Sequence, residues 1–250
     1  MKSDSEIKIL REGGKKLSII LNKVAKAAKK GVSAKELDKI AYDSITKIGG
    51  KPSFLNYQPE FAEEPFPSSL CVSVNETIVH GIPTEDVVFK QGDIVSLDLG
   101  MEYKGLFTDM AITIGIGKIE PQYRKLIQVT KESLDKGIKA AKLGNTLGDI
   151  GYAIQSHIEK NGLAVIKNLV GHGVGYLPHE DPPVFNFGYP GQGFKLEQGL
   201  VIALEPMVTF KSGEIRELKD GSFVTANGEI ACHFEHTIAI TKKGPLVITQ

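Results

Sequence analysis

The stretch GHGVGYLPHEDPP, residues 171–183, carries two histidines seven positions apart, His172 and His179. Near neutral pH an imidazole serves as a metal ligand, a general acid or base, or a donor to a developing oxyanion. The pair therefore offers chemistry jointly or separately. On a helix, about seven residues make two turns and would set both rings on one face as joint ligands. The segment does not read as a helix: Gly171, Gly173 and Gly175 each weaken one by about 1 kcal/mol, and Pro178, Pro182 and Pro183 lack amide donors. Irregular backbone is expected here, and the rest of the chain must decide how the two rings relate.

Four carboxylates stand in similarly suggestive places. Asp98 ends QGDIVSLD (91–98) and Glu205 ends QGLVIALE (198–205), both apolar, β-rich runs. An unpaired carboxylate buried in such a run costs several kcal/mol. Asp109 in FTDMAIT (107–113) and Glu235 in FEHTIAIT (234–241) precede similar strand-like runs. No Lys or Arg lies within QGDIVSLD or QGLVIALE, so converging carboxylates would repel one another unless cations were bound. Any one of these acids alone reads as a surface or capping residue. Together with a histidine they suit two divalent ions, and the oxygen-rich set fits Mn, Co, Fe or Zn with bridging carboxylates.

These residues are carried by elements that the chain spells out twice. In GVSAKELDKIAYDSITKIGG (31–50), Ser33 and Glu36 form a capping box ahead of Leu37, Ile40, Ala41, Ile45 and Ile48 at helical spacing, and Gly49 and Gly50 stop the helix. In GNTLGDIGYAIQSHIEKNG (144–162), Thr146 and Asp149 play the same part before Ile150, Ala153, Ile154 and Ile158, and Asn161 and Gly162 end it. An amphipathic helix precedes each: Leu17, Ile20, Leu21 and Val24 in the first case, and Tyr123, Leu126, Ile127, Leu134 and Ile138 after Pro121 in the second. The strands repeat too. VHGI (79–82), with His80, matches GHGV (171–174), and the two runs that end in Asp98 and Glu205 match each other. Each half thus supplies one histidine and two acids.

With 250 residues, 41% of them hydrophobic and 24% charged, the chain is of ordinary globular make-up. Thirty basic and thirty acidic residues leave no net charge, which argues against a nucleic-acid footprint. Lys15, Lys16, Lys23, Lys26, Lys29 and Lys30 crowd the first helical region and read as a solvated face. No apolar run is long enough to cross a membrane, and MKSDSEIKIL does not resemble a signal peptide, so a soluble cytoplasmic protein is expected. Cys71 and Cys232 lack CxxC spacing and imply no disulfide framework.

VNETIVHGIP, LDLG with the later TD, GHGVG followed by HEDP, LEPM and FEHTIAIT occur in that order along nearly the whole chain from Glu6. Together they resemble the bacterial type I methionine aminopeptidases of metallopeptidase family M24. The resemblance implies an α/β (α+β) pita-bread fold, an antiparallel sheet covered by helices. Residues 1–250 would form a single domain whose pseudo-twofold-related halves run roughly over 1–115 and 116–250. It also implies that Asp98, Asp109, His172, Glu205 and Glu235 bind two divalent metal ions (Co, Mn, Fe or Zn), with Asp109 and Glu235 bridging. His80 and His179 would be catalytic without binding metal, and Glu205 would also act as general base. The implied reaction is removal of the initiator methionine from nascent polypeptides by a metal-bridging hydroxide that attacks the scissile carbonyl. A monomer is implied, with no membrane or specific nucleic-acid partner; docking at the ribosome surface is left open. The competing readings are an Xaa-Pro aminopeptidase or dipeptidase of the same fold, which normally carries a large N-terminal domain, and a peptide-binding relative without catalysis, which would lose ligands.

The chain departs from the family pattern in several places. QPEFAEEP (58–65) replaces the usual His-Gly between Tyr57 and Phe66, leaving Tyr57, Phe66 and Cys71 as candidates for the methionine pocket. Pro178 stands where relatives often have Phe, and Ser222 where they often have Trp; Phe61 or Phe223 would refill the space. His233 replaces the usual Gln two residues before Glu235. It reads as a partner that orients a ligand, as an additional ligand, or as an ordinary hydrogen-bonded histidine. His157 and His236 read as structural.

Overall fold

The computed structural model describes residues 1–58 and 64–250. Helix α1 (Asp4–Ala27) begins at Ser3, whose hydroxyl accepts from the Glu6 amide while the Glu6 carboxylate accepts from the Ser3 amide. Helix α2 (Ala34–Lys47) has the expected Ser33/Glu36 box and stops before Gly49, whose φ of 76° suits a residue without a Cβ. Helix α3 (Pro121–Ala140) opens on its proline, and α4 (Leu147–Lys160) carries the Thr146/Asp149 box and stops before Asn161 and Gly162. Each satisfied cap is worth about 1 kcal/mol, so local chemistry sets where these helices begin. Along α1, Lys15, Lys23 and Lys26 are exposed, as a solvated face requires.

The apolar stripes decide what the helices cover. Leu17, Leu21 and Val24 of α1 and Leu37, Ala41 and Ile45 of α2 pack on Leu70, Val95, Leu97 and Leu99. Leu126 and Leu134 of α3, with Ile150, Ile154 and Ile158 of α4, pack on Ile202, Leu204, Ile238 and Ile240. Each such buried side chain contributes roughly 1.5–3 kcal/mol relative to exposure.

All the strand pairings are antiparallel. Ile94–Tyr103 pairs along its length with Leu106–Gly115 through a two-residue turn, Lys104 and Gly105, both at positive φ. It also pairs with Leu70–Val74 and, further along, with Lys51–Pro52. Beneath α3 and α4 lies a five-stranded sheet ordered Gly244–Val247, His236–Thr241, Val201–Leu204, Gly171–Gly173, Glu180–Val184. Two three-stranded sheets complete the described strands.

The two principal sheets are stitched together by hydroxyls. The Asp109 amide donates to Thr237 Oγ1 (2.9 Å), and that hydroxyl donates back to the Asp109 carbonyl (2.8 Å). Thr113 makes the same reciprocal pair with the main chain of His233, which belongs to one of the three-stranded sheets, at 2.7 and 2.9 Å. The Glu235 amide donates to the Ala111 carbonyl at 2.9 Å.

Three strand expectations need correction. Asp98 lies within a strand that continues to Tyr103, and Asp109 lies inside Leu106–Gly115 rather than ahead of it. Pairing of these two strands, which no local pattern encodes, carries both past their acids. The segment around His172 is also more regular than its glycines and prolines suggest: Gly171–Gly173 pairs with Glu180–Val184. Glu180–Val184 is an edge strand, the position in a sheet where prolines such as Pro182 and Pro183 are tolerated.

Candidate metal centre

The register explains why the acids meet. Asp98 lies opposite Ala111, so Asp109, two residues away, is its diagonal neighbour on the same face. His172 enters on a strand squeezed between two others. A Cβ on Gly171 would come within 2.4 Å of the Ala203 carbonyl, and one on Gly173 within 2.3 Å of the Asp181 carbonyl. The glycines flanking His172 are therefore required by close packing. Glu205 follows Val201–Leu204, and Glu235 sits in the gap between Cys232–His233 and His236–Thr241.

Ligand atoms of Asp109, His172 and Glu235 all lie within 4.8 Å of one another. His172 Nε2 is 3.6 Å from Glu205 Oε1, and His233 Nε2 is 3.3 Å from Glu205 Oε2. His172 Nδ1–H donates to the Gly173 carbonyl at 2.8 Å; an acceptor there fixes the proton on Nδ1 and leaves the Nε2 lone pair facing the acids. Asp98 Oδ1 and Glu235 Oε1 are buried without a hydrogen-bond partner, as are both ring nitrogens of His233.

The electrostatics are those of a crowded anionic pocket. Burial pushes the Asp98 carboxyl well above its usual range, and the charges of Asp109 and Glu205 push it further. Burial does the same to Glu235, reinforced by Asp109, Glu205 and Asp98. Glu205 rises to about 8, chiefly through burial, with His172 pulling the other way. Asp109 is raised by burial and partly relieved by its hydrogen bond with Asp98. Among the described residues no Lys or Arg forms an ion pair with any of these four acids. Unpaired buried carboxylate oxygens beside an oriented imidazole are a donor set for divalent cations, so the residues fit the metal that the sequence calls for.

The other candidates fall around this cluster. His172 and His179 come together, ring centroids 4.3 Å apart, yet only His172 shares the ligand group. His179 Nδ1 lies 3.0 Å from the Tyr57 hydroxyl, and the two rings stack at 5.2 Å. Surrounding protein, then the neighbouring His172 and His80, lower the pKa of His179 and favour neutral imidazole. His80 has φ 59°, a left-handed conformation uncommon for a residue with a Cβ, and its ring meets the edge of Phe223 at 5.7 Å. Phe223 thus reaches His80, while Ser222 turns to hydrogen-bond Asp220.

Cys71 is buried opposite Asp98 in the register, and burial followed by the Asp98 charge pushes its thiol up. Phe66 is half-buried and pairs through its main chain with Asn56 and Tyr57, closing the base of the inserted loop. Phe61 lies outside the described residues. His157 bonds Glu132 and His236 bonds Thr249, both structural as expected. Both cysteines are free.

Sequence reasoning missed Thr237 and Thr113. The available signal was parity: Thr113 lies an even number of residues from Asp109 in one strand and so shares its face.

Carboxylates and histidines gathered at the seam between helix-covered antiparallel sheets define a divalent-metal hydrolase. The chain belongs to metallopeptidase family M24, which it matches over residues 8–242, and its fold is that family's pita-bread fold. It is 44% identical over 250 residues to the methionine aminopeptidase of Clostridium perfringens, covering 100% of this chain and 98% of that one. Against methionine aminopeptidase 1 of Bacillus subtilis the identity is 43%, with the same coverage. The crystal structure of methionine aminopeptidase from Thermotoga maritima superposes with a TM-score of 0.95 at 40% identity, covering 100% of this chain and 98% of that one. The protein is an enzyme, a metal-dependent aminopeptidase. No helix among the described residues is long and apolar enough to cross a membrane.

Proposed function

We propose that the enzyme removes the N-terminal methionine of nascent polypeptides in the cytoplasm, as a monomer whose residues 1–250 act as one catalytic unit. The observation that carries the reading is the convergence of Asp109, His172 and Glu235 ligand atoms within 4.8 Å beside unpaired oxygens of Asp98 and Glu235. Asp98, Asp109, His172, Glu205 and Glu235 would hold two divalent ions (Co, Mn, Fe or Zn), Asp109 and Glu235 being the residues that would serve both. Bound ions supply the Lewis acidity for hydrolysis near neutral pH.

The chain's own groups do the rest. Glu205, its two oxygens beside His172 and His233, takes the proton of the attacking water. His179 Nδ1 pairs with the Tyr57 hydroxyl, and in the tautomer that accepts there Nε2–H donates to the carbonyl oxygen as negative charge develops. His80, on the Phe223 side, contacts the scissile amide or passes a proton to the leaving amine. Tyr57, Phe66 and Cys71 border the methionine side chain, and a small second residue is preferred because that residue must fit against the metal wall.

The test is hydrolysis of Met-Ala-Ser, Leu-Ala-Ser and Ala-Pro-Ala by metal-free enzyme reconstituted separately with Mn, Co, Fe and Zn. Methionine release from the first peptide should dominate. Faster cleavage of Ala-Pro-Ala, or no methionine release with any ion, would refute the proposal.

A further inference from the structure

Lys2 is almost fully buried, its side chain 4% exposed, and its ammonium donates to Glu180 Oε2 at 2.5 Å. A lysine this deeply buried needs a partner, and the partner directly follows His179 in the chain. The other oxygen of Glu180 is also engaged: it accepts from the amides of Tyr176 and Leu177, which closes the turn leading to His179. Lys2 Nζ lies 4.8 Å from the Tyr176 ring centroid, and the Tyr176 hydroxyl donates to the Met1 carbonyl at 3.3 Å. Gly175 belongs to the same arrangement, since a Cβ there would strike the Lys2 side chain at 2.3 Å. At its back, the Lys2 amide donates to the Gly199 carbonyl at 2.7 Å, two residues before the strand that leads to Glu205.

We propose that Lys2 is a positioning residue: its buried ion pair with Glu180 locks the 175–180 turn and so sets where the His179 ring stands. Met1 and Lys2 bridge the turn that carries His179 to the turn that precedes the Glu205 strand. The ammonium adds a charged tie to a loop otherwise held by its own amides, by the Phe107 amide on the Gly175 carbonyl and by the Tyr57 hydroxyl on His179. Glu180 presents its two oxygens to two different tasks, and neutralising either partner frees the turn without touching His179, Tyr57 or any carboxylate of the metal cluster. The inference rests on His179 acting in the reaction as proposed above.

The test uses Lys2→Met, which keeps most of the stem, Glu180→Gln and the double variant. Each is assayed for kcat and KM on Met-Ala-Ser, for metal content, and for the ring carbon–proton resonances of the histidines, with His179 assigned from His179→Gln. In Lys2→Met, kcat should fall about tenfold with KM within about twofold and metal content unchanged. The His179 resonance should move while that of His236, bonded to Thr249, stays. The double variant should be no worse than either single one, because both remove one interaction. Should Lys2→Met unfold, Glu180→Gln is read alone against the same criteria. An unmoved His179 resonance, an unchanged kcat, additive losses, or a loss that tracks metal content would each overturn the proposal. If the wild-type enzyme releases no methionine with any ion, the functional reading has failed, and the His179 resonance still decides whether Lys2 positions that ring.

Discussion

Replacing Glu205 by Gln in metal-free protein should stabilise the fold at pH 8 and leave it nearly unchanged at pH 5. The side chain keeps its shape and loses its charge. Glu205 is raised by burial from an ordinary 4.5 to about 8 in the folded protein, so the folded state binds the proton more tightly than the unfolded chain does. Its contribution to stability is therefore fully present below about pH 4.5 and is lost as pH rises through about 8. At about 1.36 kcal/mol per pH unit, that loss is at most about 5 kcal/mol, and about 2–3 kcal/mol remains a sensible expectation once neighbouring acids share the relief. For a chain of this size each kcal/mol moves Tm by roughly 2–4 °C, so Glu205→Gln should melt about 4–12 °C above the wild type at pH 8. Asp98, Asp109 and Glu235 are shifted upward as well and add to the loss between pH 5 and 8, whereas the buried His80, His179, His233 and His236, shifted downward, gain stability over that range, so the quantity to read is the difference between variant and wild type at each pH. Saturating Mn should abolish the advantage of Glu205→Gln at pH 8, because cations bind the deprotonated acids. Thermal unfolding followed by circular dichroism, with chelator and with Mn at pH 5, 6, 7 and 8, measures all of this. A Glu205→Gln variant no more stable than the wild type at pH 8, or one whose advantage does not grow from pH 5 to 8, would show that the cluster is not the buried, self-repelling pocket described.

His172→Ala should weaken one metal site and regain part of its activity in excess metal, whereas His179→Ala should keep both ions and lose about two to three orders of magnitude in kcat with little change in KM. Metal analysis with steady-state kinetics separates them, and metal rescue of His179→Ala would remove the distinction. Deleting residues 58–63 should shift the preference between Met and Leu while metal content holds, since Tyr57 and Phe66 close the base of that loop and it contains none of the five candidate ligands; loss of an ion on deletion would contradict this. Thr237→Val removes the hydroxyl that satisfies both main-chain groups of Asp109 and should cost about 1–3 kcal/mol in denaturant unfolding. A cost near zero would mean that the seam is held elsewhere.

What the sequence determined by itself was whatever depends on residues close in the chain. The capping boxes at Ser33 and Thr146, the proline opening α3 and the glycines ending two helices are short-range chemistry, and each is where its pattern puts it. The five candidate ligands were also legible, because an acid in an apolar run is anomalous wherever it folds, and because ordered motifs resemble a known family. Tertiary structure decided what depends on residues far apart. Strand pairing carried the sheet past Asp98 and Asp109, and only the register made them diagonal neighbours. The two histidines also meet different partners: the Gly173 carbonyl orients His172 toward the acids, and the Tyr57 hydroxyl, 122 residues away in sequence, engages His179. His233 became a neighbour of Glu205, and Lys2 of Glu180, across separations that no local periodicity spans. Helix caps and apolar stripes act over a few residues and so leave a readable pattern, whereas a buried charge finds its partner only when the chain has closed around it.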